Sequence, residues 1–209
     1  MNTNRQWVLA KRPSGLVNQD NFTYTETPIP EPGDGEVLVR NLYLSFDPTQ
    51  RGWMEDRPSY LPPVAIGEPM RAGSVGQVVE SRHADFATGD LVQTTGGWQD
   101  FVVVAPGQGP MGLSKVPEGV TAQMMLSVLG ITGLTAYFGL LDLGNPQPGE
   151  TVLVSGAAGA TGSVAGQIAR IKGCNVVGIA GGPEKCAWLK DVAGFHDVID
   201  YKNENVNAR

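Results

Sequence analysis

Val152-Leu153-Val154-Ser155-Gly156-Ala157-Ala158-Gly159-Ala160-Thr161-Gly162-Ser163-Val164-Ala165-Gly166 is an apolar run that breaks into small residues and then resumes at helical spacing. A strand delivering a dinucleotide to a helix reads this way. Ala157, Gly159 and Gly162 fill the three small-residue slots of G-x-G-x-x-G. They allow a tight turn, a close approach of backbone to pyrophosphate, and a helix packed on its strand. The N-terminus of that helix then offers N–H groups without helical partners, and a positive dipole end, to the phosphates. Taken alone, such a turn also fits a close-packed strand-to-helix connection that holds no ligand, so the flanking pattern decides.

Thr151 to Ser155 reads as a strand and Ser163 to Lys172 as a helix, with Val164, Ile168 and Ile171 on one face. Gly173 stops it. Asn175 to Ala180 is a second strand, Glu184 to Val192 a second helix, and Asp197 to Tyr201 a third strand. The run β-α-β-α-β is the first mononucleotide-binding half of a doubly wound parallel sheet. A complete dinucleotide fold needs further strands. With Arg209 last, the chain reads as the N-terminal portion of a longer enzyme or as a shortened form, and the 209 residues alone are expected to be inactive or weakly folded.

Folds that prefer NAD carry an Asp or Glu roughly 20 residues after the Gly turn, on the ribose hydroxyls. Here the second strand runs into Gly178-Ile179-Ala180-Gly181-Gly182-Pro183-Glu184-Lys185, with no acid at the strand end and a lysine just beyond. The missing carboxylate leaves room for a 2′-phosphate and Lys185 supplies a compensating charge, which favours NADPH. Tyr201, ending the third strand, is placed to close the same pocket. A solvated helix lysine and a half-buried strand-end tyrosine are the ordinary alternatives.

The first 120 residues have a different grain. Trp7 to Lys11, Phe22 to Thr25, Glu36 to Leu44, Ala72 to Glu80, Gly89 to Thr94 and Gln99 to Val104 read as strands, separated by turn signals such as PIPEPGDG and ATGD. They make a mostly antiparallel, barrel-like β domain. A helical region from Thr121 to Leu143 follows, and domains are expected at 1–125 and 126–209.

Composition narrows the partners. Of the residues 41% are hydrophobic and 17% charged, as in ordinary globular chains, and the net charge of −6 argues against general affinity for nucleic acid or an anionic membrane. Met124 to Leu143 is too often interrupted by polar residues and glycine to be a good membrane span. The opening MNTNRQWVLAKRPSG lacks a signal-peptide core, so the chain reads as cytoplasmic. Cys174 and Cys186 form neither a disulfide framework nor a C-x-x-C site. His83 and His196 stand apart from any cysteine cluster, so no metal site is expected.

A β domain ahead of a late nucleotide-binding half resembles the medium-chain dehydrogenase/reductase superfamily. The segments YLSFDPTQRGWM (Tyr43 to Met54), DRPSYLPPVAIGEPMRAGSVGQVVES (Asp56 to Ser81), GWQDF (Gly97 to Phe101), LGITGLTAYFGLLDLG (Leu129 to Gly144) and GGPEKC (Gly181 to Cys186) narrow the likeness. They are similar to its zinc-independent, NADPH-dependent branch of prostaglandin, alkenal/one and curcumin reductases. The resemblance runs along the whole chain. It implies a GroES-like β-barrel domain followed by the first half of a Rossmann sheet, with NADPH as cofactor. The implied reaction reduces the C=C bond of an α,β-unsaturated ketone or aldehyde, and the full-length protein is implied to be a homodimer.

The zinc enzymes of that superfamily carry a cysteine in the segment that reads SFDPTQRG here and a histidine near IGEP, and this sequence has neither. Conjugate reduction manages without a Lewis acid, because the developing enolate oxygen needs only well-placed hydrogen-bond donors. By resemblance, Gly159, Ala160, Thr161 and Gly162 hold the pyrophosphate and Lys185 and Tyr201 the 2′-phosphate, while Thr135 lies near the nicotinamide. Tyr60, in PSYLPP, is the implied donor to substrate oxygen, the catalytic role, and its alternative is a cap on a Pro-rich surface loop. Thr49 replaces a tyrosine found in the DPYMR of many relatives, which shifts the substrate side. Arg51 is a candidate for substrate or phosphate, or for a salt bridge with Asp47.

Other readings stay open. The same hydride chemistry serves a quinone reductase, and a protein that binds NADPH without turnover would keep the fold. A short-chain dehydrogenase is excluded, since no tyrosine has a lysine four residues on and the nucleotide turn comes only after 150 residues.

Overall fold

The computed structural model describes residues 3–107 and 112–209. Two compact units divide the chain, Met1–Leu126 and Ser127–Arg209.

The first unit begins with β1 (Thr3–Leu9) antiparallel to β2 (Phe22–Pro28). Sequence patterning expects β1 only from Trp7, where the apolar residues start. It begins earlier because Asn4 is buried and its amide imitates a neighbouring strand, accepting from the Phe101 N–H at 2.9 Å and donating to the Phe101 carbonyl at 2.9 Å. The strand stops at Leu9, after which the N–H groups of both Ala10 and Lys11 turn to the Asn21 carbonyl. Then come β3 (Val37–Leu44), β4 (Ser74–Ser81), β5 (Leu91–Thr94), β6 (Phe101–Val104) and β7 (Ser114–Lys115). They form one antiparallel sheet in the order β6-β3-β4-β5-β7.

Val37 and Val39 of β3, Val78 of β4 and Val92 of β5 share a core with Leu113, as alternation along half-buried strands requires. A second cluster joins Leu9, Met70 and Val64 to Trp53 and Met54 at the end of a short helix, α1 (Thr49–Trp53). No apolar periodicity announces so short a helix. It follows Asp47-Pro48, and its buried Gln50 donates to the Ser45 carbonyl at 3.0 Å.

The single helical region expected over 121–143 is two helices and a wider coil. α2 (Ala122–Leu126) ends the first unit, and α3 (Ile131–Phe138) runs into a π-helical turn over Gly139–Gly144. The break falls where Gly130 is extended and the N–H groups of Gly130 and Gly133 both turn back to the Ser127 carbonyl.

The second unit is a parallel sheet, β8 (Thr151–Ser155), β9 (Asn175–Ala180) and β10 (Asp197–Asp200), in the order β10-β9-β8. α4 (Ala160–Ile171) links β8 to β9, and α5 (Pro183–Asp191) links β9 to β10. The helix face differs from the expected one. Ile171 is 84% exposed, Val164 and Ile168 are half-buried, and the fully buried positions of α4 are Gly166 and Ala169. Phe195 explains this. Its ring lies where a side chain on Gly166 would stand, and a Cβ on Gly178 of β9 would come within 2.8 Å of it. One aromatic ring therefore fills the space left by two glycines, with Leu189, Val176 and Val198 in the same core.

The chain is thus a mixed β and α/β protein, with a mostly antiparallel β unit followed by a three-stranded parallel sheet and its crossover helices, as the expected fold class requires.

Candidate functional site

The carboxyl ends of β8, β9 and β10 lie side by side in the second unit, the edge at which open α/β sheets bind their ligands. β8 leaves through Gly156, whose φ is +58°, and Ala157, fully buried, donates its N–H to the Ile179 carbonyl at 3.0 Å. Gly159 caps α4 in extended conformation and donates to the Gly156 carbonyl at 2.8 Å. Ala160, Thr161 and Gly162 form the first turn, so their N–H groups precede the helical ladder and have no carbonyl four residues back to bind. The ladder begins with Ser163, which donates to the Gly159 carbonyl at 2.9 Å. A Cβ on Gly162 would come within 2.5 Å of the Gly156 carbonyl oxygen, so the turn closes only with glycine there. This cradle fits a pyrophosphate: small residues, aligned donors, and no side chain in the way. Gly159, Ala160, Thr161 and Gly162 are therefore brought together in one turn.

At the end of β9, Lys185 stands on the first turn of α5 and is exposed. Tyr201 directly follows β10, and its ring covers Gly181 so closely that a Cβ there would come within 2.7 Å. Thr135 is exposed on α3, which packs along α4. Burial, and then the carboxylates of Asp200 and Glu204, push the Cys186 thiol up, which keeps it neutral.

Sequence reading missed Asp200. Its carboxylate accepts from the N–H of Gly182 at 2.8 Å, from the N–H of Lys202 at 3.1 Å and from the Asn203 side chain at 2.7 Å. The Gly182 and Asn203 hydrogen bonds lead in holding its pKa below the usual value. No local signal gives this away, because the first contact spans 18 residues and exists only once β9 and β10 pair.

In the first unit Tyr60 is 68% exposed, and its hydroxyl oxygen accepts from the Trp53 indole N–H at 3.1 Å. The Arg71 guanidinium stands 5.5 Å from the centre of the Trp53 ring and donates to the Pro62 carbonyl at 2.9 Å. Trp53 and Arg71, neither of them singled out by sequence, thus support the loop that carries Tyr60.

Thr49 opens α1 with its hydroxyl buried. Arg51 pairs with Glu55 at 2.8 Å, not with Asp47, and donates to the carbonyls of Pro13 and Gly15. Asp47 instead accepts from the Ser45 hydroxyl at 2.6 Å. Arg51 also lines a cavity of about 350 Å³ with Phe46, Met54 and Trp98. A larger one of about 800 Å³ is walled by Trp7, Phe22, Tyr24, Phe46 and Trp98. Tyr60 lines neither.

Among the described residues no cluster of three or more His, Cys, Asp and Glu is arranged to hold a metal ion, and no helix is long and apolar enough to cross a membrane. Each histidine accepts a backbone N–H at Nδ1, His83 from Asp85 at 3.1 Å and His196 from Val176 at 2.9 Å.

Known proteins resemble this chain along nearly its whole length. The NADPH-dependent curcumin reductase of Escherichia coli K12 is 48% identical over 198 residues, covering 95% of this chain and 56% of that protein. Prostaglandin reductase 1 of Bos taurus is 40% identical over 198 residues, covering 95% of this chain and 58% of its own. The crystal structure of CurA in complex with NADPH from Vibrio vulnificus superposes with a TM-score of 0.86 at 46% identity, over 95% of this chain and 58% of that one. The chain spans a little over half the length of these relatives. The family model for the N-terminal domain of oxidoreductase matches residues 5–113, and the chain belongs to that family, within the medium-chain dehydrogenases/reductases.

Proposed function

We propose that this chain is part of an oxidoreductase that uses NADPH to reduce the C=C bond of α,β-unsaturated ketones or aldehydes, adding hydride at the β-carbon without a metal. The observation that carries the reading is the edge where the Gly162 cradle, Lys185 and the Tyr201 ring over Gly181 meet the ends of three parallel strands. The likeness to the curcumin and prostaglandin reductases, and to the NADPH complex from Vibrio vulnificus, supports it.

Bound NADPH supplies the hydride. The chain's part is to bind and orient. Gly159, Ala160, Thr161 and Gly162 hold the pyrophosphate through backbone N–H groups, Lys185 and Tyr201 take the 2′-phosphate, and Thr135 sits toward the nicotinamide. Tyr60 accepts from Trp53, so its own proton remains free for the substrate oxygen, where charge develops as hydride adds. Thr49 and Arg51 belong to the substrate side, Arg51 by holding the 13–15 loop against α1. A cytoplasmic homodimer is part of the same reading, and sedimentation measures the dimer directly.

The test is oxidation of NADPH by the purified whole enzyme of which this chain is proposed to be part, with an unsaturated ketone as acceptor and with NADH and a simple quinone as comparisons. Turnover of the ketone with NADPH, and much less with NADH, is expected. NADPH binding without turnover overturns the catalytic reading, and turnover of the quinone alone replaces it with quinone reduction.

A further inference from the structure

Three pieces of backbone meet at the carboxyl end of β9. Gly181 and Gly182 lead into α5, Tyr201 leaves β10, and the turn 201–204 follows. Asp200 joins all three. One carboxylate oxygen accepts from Gly182, which has φ +97°, and from the N–H of Lys202, while the other accepts from the Asn203 amide. The Asp200 N–H in turn donates to Glu204 at 3.0 Å, and the Tyr201 N–H donates to the Ala180 carbonyl at 3.1 Å.

A carboxylate near a phosphate pocket would ordinarily repel the ligand. This one carries three hydrogen bonds from the chain itself, two at one oxygen and one at the other, so both of its oxygens are engaged in holding the chain. What it does is fix spacing. Lys185 lies on the helix whose cap Asp200 grips, and Tyr201 is its immediate neighbour, held over Gly181. Beside the Tyr201 N–H bond to Ala180, the clamp adds a direct tie from the 201–204 turn to the N-cap of α5.

We propose that Asp200 is a positioning residue that sets the selectivity of this corner for a 2′-phosphorylated adenosine nucleotide, by holding Lys185 and Tyr201 in register. The proposal rests on the NADPH reading above.

Binding of adenosine 2′,5′-bisphosphate and of adenosine 5′-monophosphate to the protein, measured by calorimetry, tests it without turnover. The unaltered protein is expected to prefer the bisphosphate. Asp200→Ala is expected to cut that preference about tenfold, with monophosphate affinity unchanged. Asp200→Asn keeps an oxygen for both backbone donors and is expected to retain most of the preference. If Asp200→Ala leaves the ratio as it was, whether both affinities persist or both fall alike, the positioning role is overturned while the phosphate site stands. If the unaltered protein binds the two nucleotides equally, the phosphate site itself is wrong and the proposal goes with it. Should Asp200→Ala not fold, Asn203→Ala removes one contact alone. A smaller fall in the same ratio then supports the role, and an unchanged ratio overturns it.

Discussion

Trp53 donates its indole N–H to the hydroxyl oxygen of Tyr60 across 3.1 Å. The phenol is thereby oriented through its lone pair and keeps its hydrogen for another acceptor. Tyr60→Phe is expected to lower kcat for an unsaturated ketone about a hundredfold, the usual effect of removing one oxyanion donor. Trp53→Phe keeps the phenol but loses its anchor, with a smaller fall expected. Steady-state rates beside NADPH affinity check both, and affinity should not change.

Lys185 makes no ion pair among the described residues, so its charge is available to a ligand. Lys185→Ala is expected to weaken NADPH by about tenfold and to leave NADH nearly unchanged, since a charge-assisted hydrogen bond is worth about 1.5–3 kcal/mol. Equal losses for the two nucleotides, measured by fluorescence titration, would remove the phosphate role.

The packing of α4 makes a paired prediction. Gly166→Ala or Gly178→Ala drives a methyl into the Phe195 ring and is expected to cost about 1–3 kcal/mol of stability, as overpacking does. Ile171→Ala, at an 84% exposed site, should lie within about 0.5 kcal/mol of the parent. Urea unfolding midpoints decide. A large loss at Ile171 would return the core face of α4 to the one that apolar spacing suggests.

Arg5 grips Asp100 with two hydrogen bonds, at 2.6 and 3.0 Å, and these lead in holding the Asp100 carboxyl below the usual carboxylate range. A carboxylate whose pKa is lowered on folding stabilises the fold above the unfolded value and loses that contribution as pH falls through the folded one. Stability should therefore be level near neutrality and decline below about pH 4. Asp100→Asn should show a shallower decline, visible in urea midpoints at pH 6, 4 and 3.

The β8-α4-β9-α5-β10 order is readable from sequence because its punctuation is local. Gly173 stops a helix, Gly182-Pro183 starts one, and Asn175–Ala180 is a strand in both reading and structure. α4 begins at Ala160, three residues before the start at Ser163 that spacing suggests, because its first turn is built from the small residues of the cradle. The split of 121–143 is not readable, since isolated glycines such as Gly130 are tolerated inside helices and only the fold draws this one into an extended conformation. Arg51 and Asp200 show the remaining limit. Their residue types announce charge, but partners at Pro13, Gly15 and Gly182 are chosen by tertiary approach.

Asn4 carries a last consequence. β6 ends the order of its sheet, and its outward N–H and carbonyl at Phe101 are both taken by one side chain 97 residues earlier in the chain. An open strand edge is a template on which another polypeptide can add itself. The buried Asn4 amide thus acts as a stopper against edge-to-edge association, and removing that one side chain would unseal the sheet edge at Phe101.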